Sequence, residues 1–342
     1  MLSGNLKIPP SKSLANRAII CAGLADGESV IKNVDYSDDI IAATNAMKSL
    51  KSGEKIINCN ESGTLFRLLT PIVPYFGDVK LIGSERLMAR NDPKSSQHIS
   101  GKLLAAPLCG EDVLIKLDEP LQSRGYVDLT INMMHRAGIE VENRDYMEFF
   151  VPGGQSYQPF EYEIEADFSQ AAFFIVANEI GNNVTLTNLP KNSFQGDRVI
   201  LEIVRERPNV IDPSQFPDLV PILAVWATFQ EAETHIVNAA RLREKESDRL
   251  ASITSELNKM GAKITELPDG LIIKGLGKDA VLNAAEVDSW NDHRIAMSLA
   301  IAATRTNGKV RINGCECVKK SYPKFWDDYA ALGGLDYVIN LW

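Results

Sequence analysis

The sequence predicts an α/β protein built from repeated units of helices and strands, and three observations lead to this prediction. A polar helix start, an Ala/Leu/Ile-rich helix, a loop and a β-branched strand recur six times along the chain. The spacing from helix start to strand is nearly constant, at about 16 residues. The length of 342 residues is typical of two domains of about 150 residues each.

The six copies are spread over the whole chain. They run from 11 to 31, from 61 to 82, from 95 to 115, from 167 to 186, from 217 to 237 and from 291 to 312. Chance alone would produce one or two such matches, whereas six favour duplicated βα units.

Two copies carry a second helix that ends in glycine and leads into a hairpin. Gly138 and Gly261 are predicted to follow the last helical residue, where a positive φ is free of steric cost. The dipeptide Asp269-Gly270 predicts a hairpin turn. The complete unit is therefore β-α-β-α-β-β, and three copies are shortened. Relative to an ideal array, about 90 residues are absent.

Composition and charge exclude several classes of protein. A net charge of −9 and a pI of about 5.1 argue against a nucleic-acid-binding surface. No apolar run reaches the length of about 18 residues that a membrane span needs. Five scattered cysteines favour a reducing compartment, and no second Cys/His pair completes a zinc set with Cys315 and Cys317. We expect a cytoplasmic protein without a metal.

The unusual polar residues of each copy stand at the start of its Ala-rich helix. Free N–H groups and the positive end of the helix dipole favour anions there. In segment 241–249, Lys245 and Arg249 are four residues apart, with Glu246 beside them. Each such segment alone is also typical of a capped surface helix. Together, the cations, hydroxyls and few carboxylates suit transfer chemistry between two small anions.

Four of these segments, in this order, are highly specific as a set. They are Ser11-Lys12-Ser13 with Arg17, Ser95-Ser96-Gln97, Lys245-Glu246-Ser247-Asp248-Arg249 and Asn291-Asp292-His293-Arg294. With them the chain resembles, from about Lys7 to Leu332, a shortened member of the 5-enolpyruvylshikimate-3-phosphate (EPSP) synthase family, the 3-phosphoshikimate 1-carboxyvinyltransferases.

The resemblance implies a two-domain inside-out α/β barrel. Each domain holds three β-α-β-α-β-β units around a pseudo-threefold axis, some of them abridged here, and the substrate cleft lies between the domains. The N-terminal lobe would comprise residues 10–164, and the C-terminal lobe residues 1–9 plus 165–342.

The resemblance also implies a reaction. The enolpyruvyl group of phosphoenolpyruvate passes to the 5-hydroxyl of shikimate 3-phosphate through a tetrahedral intermediate, and phosphate is released. No metal or organic cofactor takes part. The two small-molecule substrates are the expected partners, with no nucleic acid and no membrane, and we expect a monomer.

The family's site residues carry over position by position. Lys12, Asp218 and Glu246 would be catalytic, with the two acids moving protons and Lys12 assisting. Shikimate 3-phosphate would be held by Ser13, Arg17, Ser95, Ser96, Gln97, Ser123, Tyr126, Asp218 and Lys245. Phosphoenolpyruvate would be held by Lys12, Gly63, Arg90, Gln97, Arg249, Arg294 and Lys320.

Departures from the family pattern leave two alternatives. Asn91 replaces the usual proline after Arg90, and a helix and hairpin are missing beyond it, which suits a catalytically silent homologue that binds shikimate 3-phosphate. The other alternative is the related transferase that acts on UDP-N-acetylglucosamine. Its pattern has asparagine after the first lysine, where this chain has Ser13, and a loop cysteine, which is absent between Cys59 and Cys109.

Overall fold

The computed structural model describes residues 1–89 and 95–339, and the chain divides into two compact units. The C-terminal unit comprises residues 1–9, 166–193 and those from 197 on, and the N-terminal unit comprises 10–165 and 194–196. These bounds differ from the expected lobes in two places. Glu165 and residues 194–196 belong to the N-terminal unit, whereas the sequence analysis assigned them to the C-terminal lobe.

The described residues form sixteen strands and twelve α-helices. The strands are β1 (Ser3–Leu6), β2 (Val30–Lys32), β3 (Ile56–Asn58), β4 (Lys80–Ile82), β5 (Val113–Lys116), β6 (Glu142–Arg144), β7 (Glu148–Val151), β8 (Glu161–Glu163), β9 (Asn183–Leu186), β10 (Val210–Ile211), β11 (Glu233–Ile236), β12 (Ile264–Leu267), β13 (Gly270–Lys274), β14 (Glu286–Asp288), β15 (Val310–Asn313) and β16 (Val338–Ile339). The helices are α1 (Lys12–Leu24), α2 (Asp38–Lys51), α3 (Gly63–Leu69), α4 (Glu85–Ala89), α5 (Ser96–Ala105), α6 (Arg124–Arg136), α7 (Phe168–Glu179), α8 (Ile200–Glu206), α9 (Val220–Thr228), α10 (Arg249–Lys259), α11 (His293–Ala303) and α12 (Phe325–Ala331). None of these helices has both the length and the apolar composition for a bilayer crossing.

Three small sheets surround the helices of the N-terminal unit in the described residues. Strands β2 and β8 pair in parallel, as do β3 and β4, while β5, β7 and β6 form an antiparallel sheet. Helix α1 packs against α2 and α6, and α5 packs against α3 and α6. The apolar faces of these helices and sheets form one core cluster.

The C-terminal unit repeats this plan with its own three sheets among the described residues. Strands β1 and β9 pair in parallel, β14, β15 and β16 form a parallel sheet, and β10, β11, β13 and β12 form a mixed one. Helices α7, α9 and α11 pack against one another, and every residue of α9 and α11 is buried. A helix that is buried on all sides belongs in a core, so α9 and α11 lie in the interior of this unit.

Two turn predictions can be compared with the structure. Gly138 and Gly261 follow α6 and α10 with φ of 78° and 93°, which confirms the predicted helix ends. The hairpin of β12 and β13 is also present, but Leu267 pairs with Gly270, so Pro268 and Asp269 form the loop. Gly270 is needed for another reason: a Cβ there would collide with the carbonyl oxygen of Ile236 on β11.

The packing of α5 on α3 depends on Gly101. A Cβ on Gly101 would lie 2.7 Å from the carbonyl oxygen of Arg67 and 2.8 Å from that of Leu68. Overpacking of this kind costs about 1–3 kcal/mol, and the better helix propensity of alanine returns about 1 kcal/mol. We therefore expect Gly101→Ala to lower the melting temperature in a thermal unfolding experiment.

The matched control is Lys102→Ala, at an exposed position of the same helix, which should change stability by less than about 0.5 kcal/mol. A Gly101→Ala protein as stable as the parent would show that α3 and α5 do not pack this closely.

Candidate active site

In the C-terminal unit, charged side chains gather at the starts of three helices. Asp218 lies in the 3-10 turn before α9, Arg249 opens α10, and Asp292 caps α11 by accepting from the backbone N–H of Arg294 at 2.9 Å. We call this group the arginine–carboxylate cluster; its members are Asp218, Lys245, Glu246, Arg249, Asp292 and Arg294.

Arg249 is the centre of this cluster and is 1 % exposed. Its Nε donates to Asp292 Oδ2 at 2.8 Å. Its Nη1 donates to Asp218 Oδ1 and its Nη2 to Glu246 Oε2, each at 2.8 Å. Burial lowers the pKa of Arg249, but the three carboxylates outweigh that effect and raise it. The guanidinium is therefore a permanent positive charge that fixes three acids in place.

Asp218 is shared among several cations. Arg294 Nη2 donates to its Oδ2 at 3.0 Å, and Lys245 Nζ lies 3.8 Å from its Oδ1. Burial raises the pKa of Asp218, but Arg294, Lys245 and Arg249 together hold it well below its usual value. The pKa of Lys245 is lowered, mainly by burial. Without a ligand, Asp218 is thus an ionised carboxylate and a weak base.

Asp197 is an acid near this cluster that sequence reasoning missed. It lies in the 3-10 turn before α8, is 5 % exposed, and accepts a hydrogen bond from Ser169 Oγ at the start of α7. Burial, followed by the charge of Asp218, raises the pKa of Asp197 to about 6, while Arg294 opposes the rise. In the sequence it is one acid at an ordinary helix start, so no pattern distinguishes it.

In the N-terminal unit, Lys12 is paired with a buried acid. Its Nζ lies 2.8 Å from Asp39 Oδ2, and the two side chains are 16 % and 4 % exposed. Asp39 belongs to the first turn of α2, so this contact ties the start of α1 to the start of α2. The sequence analysis found Lys12 but not Asp39, since a second acid after Asp38 is also a common helix-start pattern.

Arg17 is buried completely and bonds to neutral oxygens of its own unit. Nε donates to Thr130 Oγ1 at 2.7 Å and Nη1 to the carbonyl oxygen of Ser13 at 2.8 Å. Nη2 donates to the carbonyl oxygen of Tyr126 at 2.9 Å. Burial lowers the pKa of Arg17 to about 10. Arg17 therefore joins α1 to α6 and fixes the backbone beside Ser13 and Tyr126, two of the predicted substrate ligands.

The start of α5 carries a second polar group. Ser95 caps the helix by accepting from the backbone N–H of His98 at 3.3 Å. The side-chain amide of Gln97 lies between two residues of α3: Arg67 Nη1 donates to its Oε1 at 3.1 Å, and its Nε2 donates to Thr64 Oγ1 at 2.9 Å. Arg67 and Thr64 were not among the predicted site residues.

The remaining predicted residues lie on further element starts and ends. Ser123, with φ of 55°, precedes α6, whose first turn holds Tyr126. Gly63 opens α3. Lys320 ends a 3-10 turn that packs on α11. Arg90 lies outside the described residues.

The predicted site residues thus form two sets, one in each unit. The set of the N-terminal unit is Lys12, Ser13, Arg17, Gly63, Ser95, Ser96, Gln97, Ser123 and Tyr126. The set of the C-terminal unit is Asp218, Lys245, Glu246, Arg249, Arg294 and Lys320. Among residues 1–89 and 95–339, no three His, Cys, Asp or Glu side chains converge as a metal site would require.

The sequence also matches a family model. The model for EPSP synthase (3-phosphoshikimate 1-carboxyvinyltransferase) matches residues 1–56, 91–212 and 204–329. The chain belongs to the EPSP synthase family. Residues 57–90, which include Gly63 and Arg90, are not part of the match.

Similar proteins of this family come from clostridia. The 3-phosphoshikimate 1-carboxyvinyltransferase of Clostridium perfringens is 41% identical over 413 aligned positions, which cover 98% of this chain and 97% of that protein. The one of Clostridium acetobutylicum is 42% identical, with coverage of 97% and 96%. Because the chain has 342 residues, at least 71 of the 413 positions (413 − 342) have no residue of this chain. The EPSP synthase family is therefore represented here in a shortened form.

Solved structures show the same fold. EPSP synthase from Acinetobacter baumannii superimposes with a TM-score of 0.78 in one structure and 0.79 in another, at 22% sequence identity, over 97% of this chain and 96% of that one. This likeness confirms the predicted two-domain α/β fold of the EPSP synthase family.

The raised pKa of Asp197 predicts a pH-dependent gain in stability for Asp197→Asn. The folded-state pKa of about 6 lies above the ordinary value of 3.8. The ionised carboxylate therefore costs stability above pH 6, by up to about 3 kcal/mol. The cost falls as the pH drops from 6 towards 3.8, and it is lost below that value, where the group becomes protonated in both the folded and unfolded states. We expect Asp197→Asn to raise the melting temperature at pH 7.5 and to leave it nearly unchanged at pH 4.

Asp279→Asn, at an exposed turn, is the control and should give the same small shift at both pH values. A stabilisation by Asp197→Asn that does not depend on pH would show that Asp197 is not a strained buried carboxylate.

Proposed function

We propose that the two sets of helix-start residues carry out the reaction of this family. The enzyme transfers the enolpyruvyl group of phosphoenolpyruvate to the 5-hydroxyl of shikimate 3-phosphate and releases phosphate, as a step of the shikimate pathway. In our proposal Lys12, Arg249, Arg294 and Lys320 hold phosphoenolpyruvate with Gly63, Arg90 and Gln97. Shikimate 3-phosphate is held by Ser13, Arg17, Ser95, Ser96, Gln97, Ser123, Tyr126, Asp218 and Lys245.

The arginine–carboxylate cluster is the observation that carries this assignment of roles. Arg294 and Lys245 share the carboxylate of Asp218 in the free enzyme. An anionic substrate that binds these cations competes for them and weakens their hold on Asp218. The pKa of Asp218 then rises, because opposite charges are what depress it. Substrate binding thereby turns a weak base into one suited to proton transfer.

In our proposal the two acids divide the proton transfers between them. Asp218 takes the proton of the 5-hydroxyl as that oxygen attacks C2 of phosphoenolpyruvate. Glu246, which has taken up a proton from solvent, supplies that proton to the methylene carbon C3. This addition gives the tetrahedral intermediate. Glu246, now a carboxylate, takes a proton back from C3 as the C–O bond to phosphate breaks, which releases phosphate and completes the elimination. Both acids hydrogen-bond to Arg249, which keeps them in one orientation through both steps.

In the N-terminal unit, Lys12 supplies positive charge for the phosphate that leaves. Its pairing with Asp39 at 2.8 Å holds the ammonium in place before substrate binds. Arg17 fixes the backbone of Ser13 and Tyr126, so these residues are ordered in advance. Such preorganisation reduces the entropy that binding must remove.

One observation favours the alternative of a silent homologue, namely the alignment positions that this chain lacks. Phosphate release from phosphoenolpyruvate, measured with and without shikimate 3-phosphate, separates the two functions. We expect release that depends on shikimate 3-phosphate. Binding of shikimate 3-phosphate without turnover would establish the silent homologue instead.

Asp218→Asn should lower kcat by a factor of about 10² to 10⁴, the usual contribution of a positioned acid or base. The variant keeps the size of the side chain but removes the base. The measurement is phosphate release at saturating concentrations of both substrates. The control is Asp212→Asn, an exposed carboxylate on the same segment that accepts from Ser214 and Asn238; its kcat should stay within twofold. Equal kcat values for the two variants would remove Asp218 from the reaction.

Glu246→Gln should abolish incorporation of solvent deuterium at C3 of phosphoenolpyruvate, because the carboxyl proton that exchanges with solvent is lost. The reaction is run in D2O with shikimate 3-phosphate, and the recovered substrate is analysed by mass spectrometry. Glu244→Gln, an exposed neighbour, should exchange as the parent does. Unchanged exchange in Glu246→Gln would assign the C3 proton to another group.

Our proposal includes a cytoplasmic location and a monomeric state. All five cysteines are free, which suits a reducing compartment. A single sedimenting species of 37.7 kDa is the expected result.

A further inference from the structure

The side-chain amide of Gln97 is held from both ends by helix α3. Arg67 Nη1 donates to its Oε1 at 3.1 Å, and its own Nε2 donates to Thr64 Oγ1 at 2.9 Å. An amide nitrogen has two N–H groups. One is used by Thr64, and within residues 1–89 and 95–339 the other has no partner, so it is available to a ligand.

The orientation of this amide decides what it recognises. An N–H group attracts the phosphate or carboxylate oxygen of an anion, whereas the amide oxygen repels it. A threonine hydroxyl both donates and accepts, so Thr64 permits either orientation. A guanidinium only donates, so Arg67 permits only the orientation in which the carbonyl oxygen of Gln97 faces Arg67.

We propose that Arg67 is a positioning residue that fixes the amide of Gln97 with an N–H group presented to the anionic substrate. This inference rests on the proposed function, in which Gln97 contacts phosphoenolpyruvate and shikimate 3-phosphate. Arg67 acts through Gln97 and does not touch the substrate.

The guanidinium of Arg67 also lies close to the backbone of Gly63. A Cβ added to Gly63 would lie 3.0 Å from Arg67 Nη1 and 3.7 Å from Leu87 Cδ1. The same Nη1 atom bonds to Gln97. Arg67 Nη1, which lies beside Gly63 and bonds to Gln97, is therefore the group that orients the amide.

The test is a double-mutant cycle on Arg67 and Gln97. Arg67→Met should raise the KM for phosphoenolpyruvate about tenfold and change kcat by less than about threefold, because a ground-state hydrogen bond is lost and the amide is free to rotate. Arg67→Lys keeps a donor to Gln97 and should recover part of that loss. In the Gln97→Ala background, Arg67→Met should change KM by less than about twofold, since nothing remains to be oriented.

Three results would overturn the inference. A tenfold rise that persists in the Gln97→Ala background would place Arg67 in direct contact with the substrate. Equal losses in Arg67→Lys and Arg67→Met would show that donation to Gln97 is irrelevant. A fall in melting temperature with proportional loss of kcat would make Arg67 purely structural.

Two further variants distinguish a failure of this inference from a failure of the proposed function. Gln97→Ala alone must raise KM; if it does not, the assignment of Gln97 as a substrate ligand fails, and with it the proposed site. Arg136→Met is the matched control for the loss of an arginine in this unit. Arg136 is exposed and donates to Asn132 at 3.2 Å, and its loss should leave KM within twofold.

Discussion

The structure of the C-terminal unit depends on one buried positive charge. Removing a guanidinium from water is costly unless carboxylates and hydrogen bonds replace the water. Arg249 receives three carboxylates, from the turn before α9, from the segment before α10 and from the cap of α11. Each carboxylate belongs to a different part of the chain, so this one guanidinium joins three helix starts and also helps to lower the pKa of Asp218.

The N-terminal unit satisfies the same constraint with neutral partners. Arg17 is as deeply buried as Arg249, but its partners are two carbonyl oxygens and a hydroxyl. Among the described residues no carboxylate pairs with Arg17, and burial lowers its pKa, whereas the pKa of Arg249 is raised. The start of α1 therefore keeps a net positive charge, which suits anions. The C-terminal unit instead surrounds its buried guanidinium with three carboxyl groups.

The repeats, two helix ends and the candidate site residues could be predicted from the sequence. The regular spacing of helix starts and strands identified the repeats because each copy must bury one apolar face. Helix ends at Gly138 and Gly261 were predicted since a positive φ favours glycine. Residue types at the helix starts also indicated the site, because cations and hydroxyls cluster there.

The partners of these residues were not predictable in the same way. Three residues contact the site through partners that are distant in the chain: Asp39, Asp197 and Arg67. In the local sequence each of them resembles an ordinary surface residue. The hairpin loop lies one residue earlier than predicted, and Gly270 pairs in β13, where Ile236 leaves no room for a side chain. Tertiary contacts of this kind leave no local signature.

The shortened repeats also affect the outside of the molecule. Within the described residues, β3 and β4 pair only with each other, and Ile56 at the start of β3 is 60 % exposed. A two-stranded ribbon presents unpaired backbone groups on both sides, which a strand from another chain can extend. Lys55 and Lys80 add charges at this ribbon and oppose such stacking. Salt that screens them would therefore favour aggregation of concentrated protein, beginning at β3 and β4.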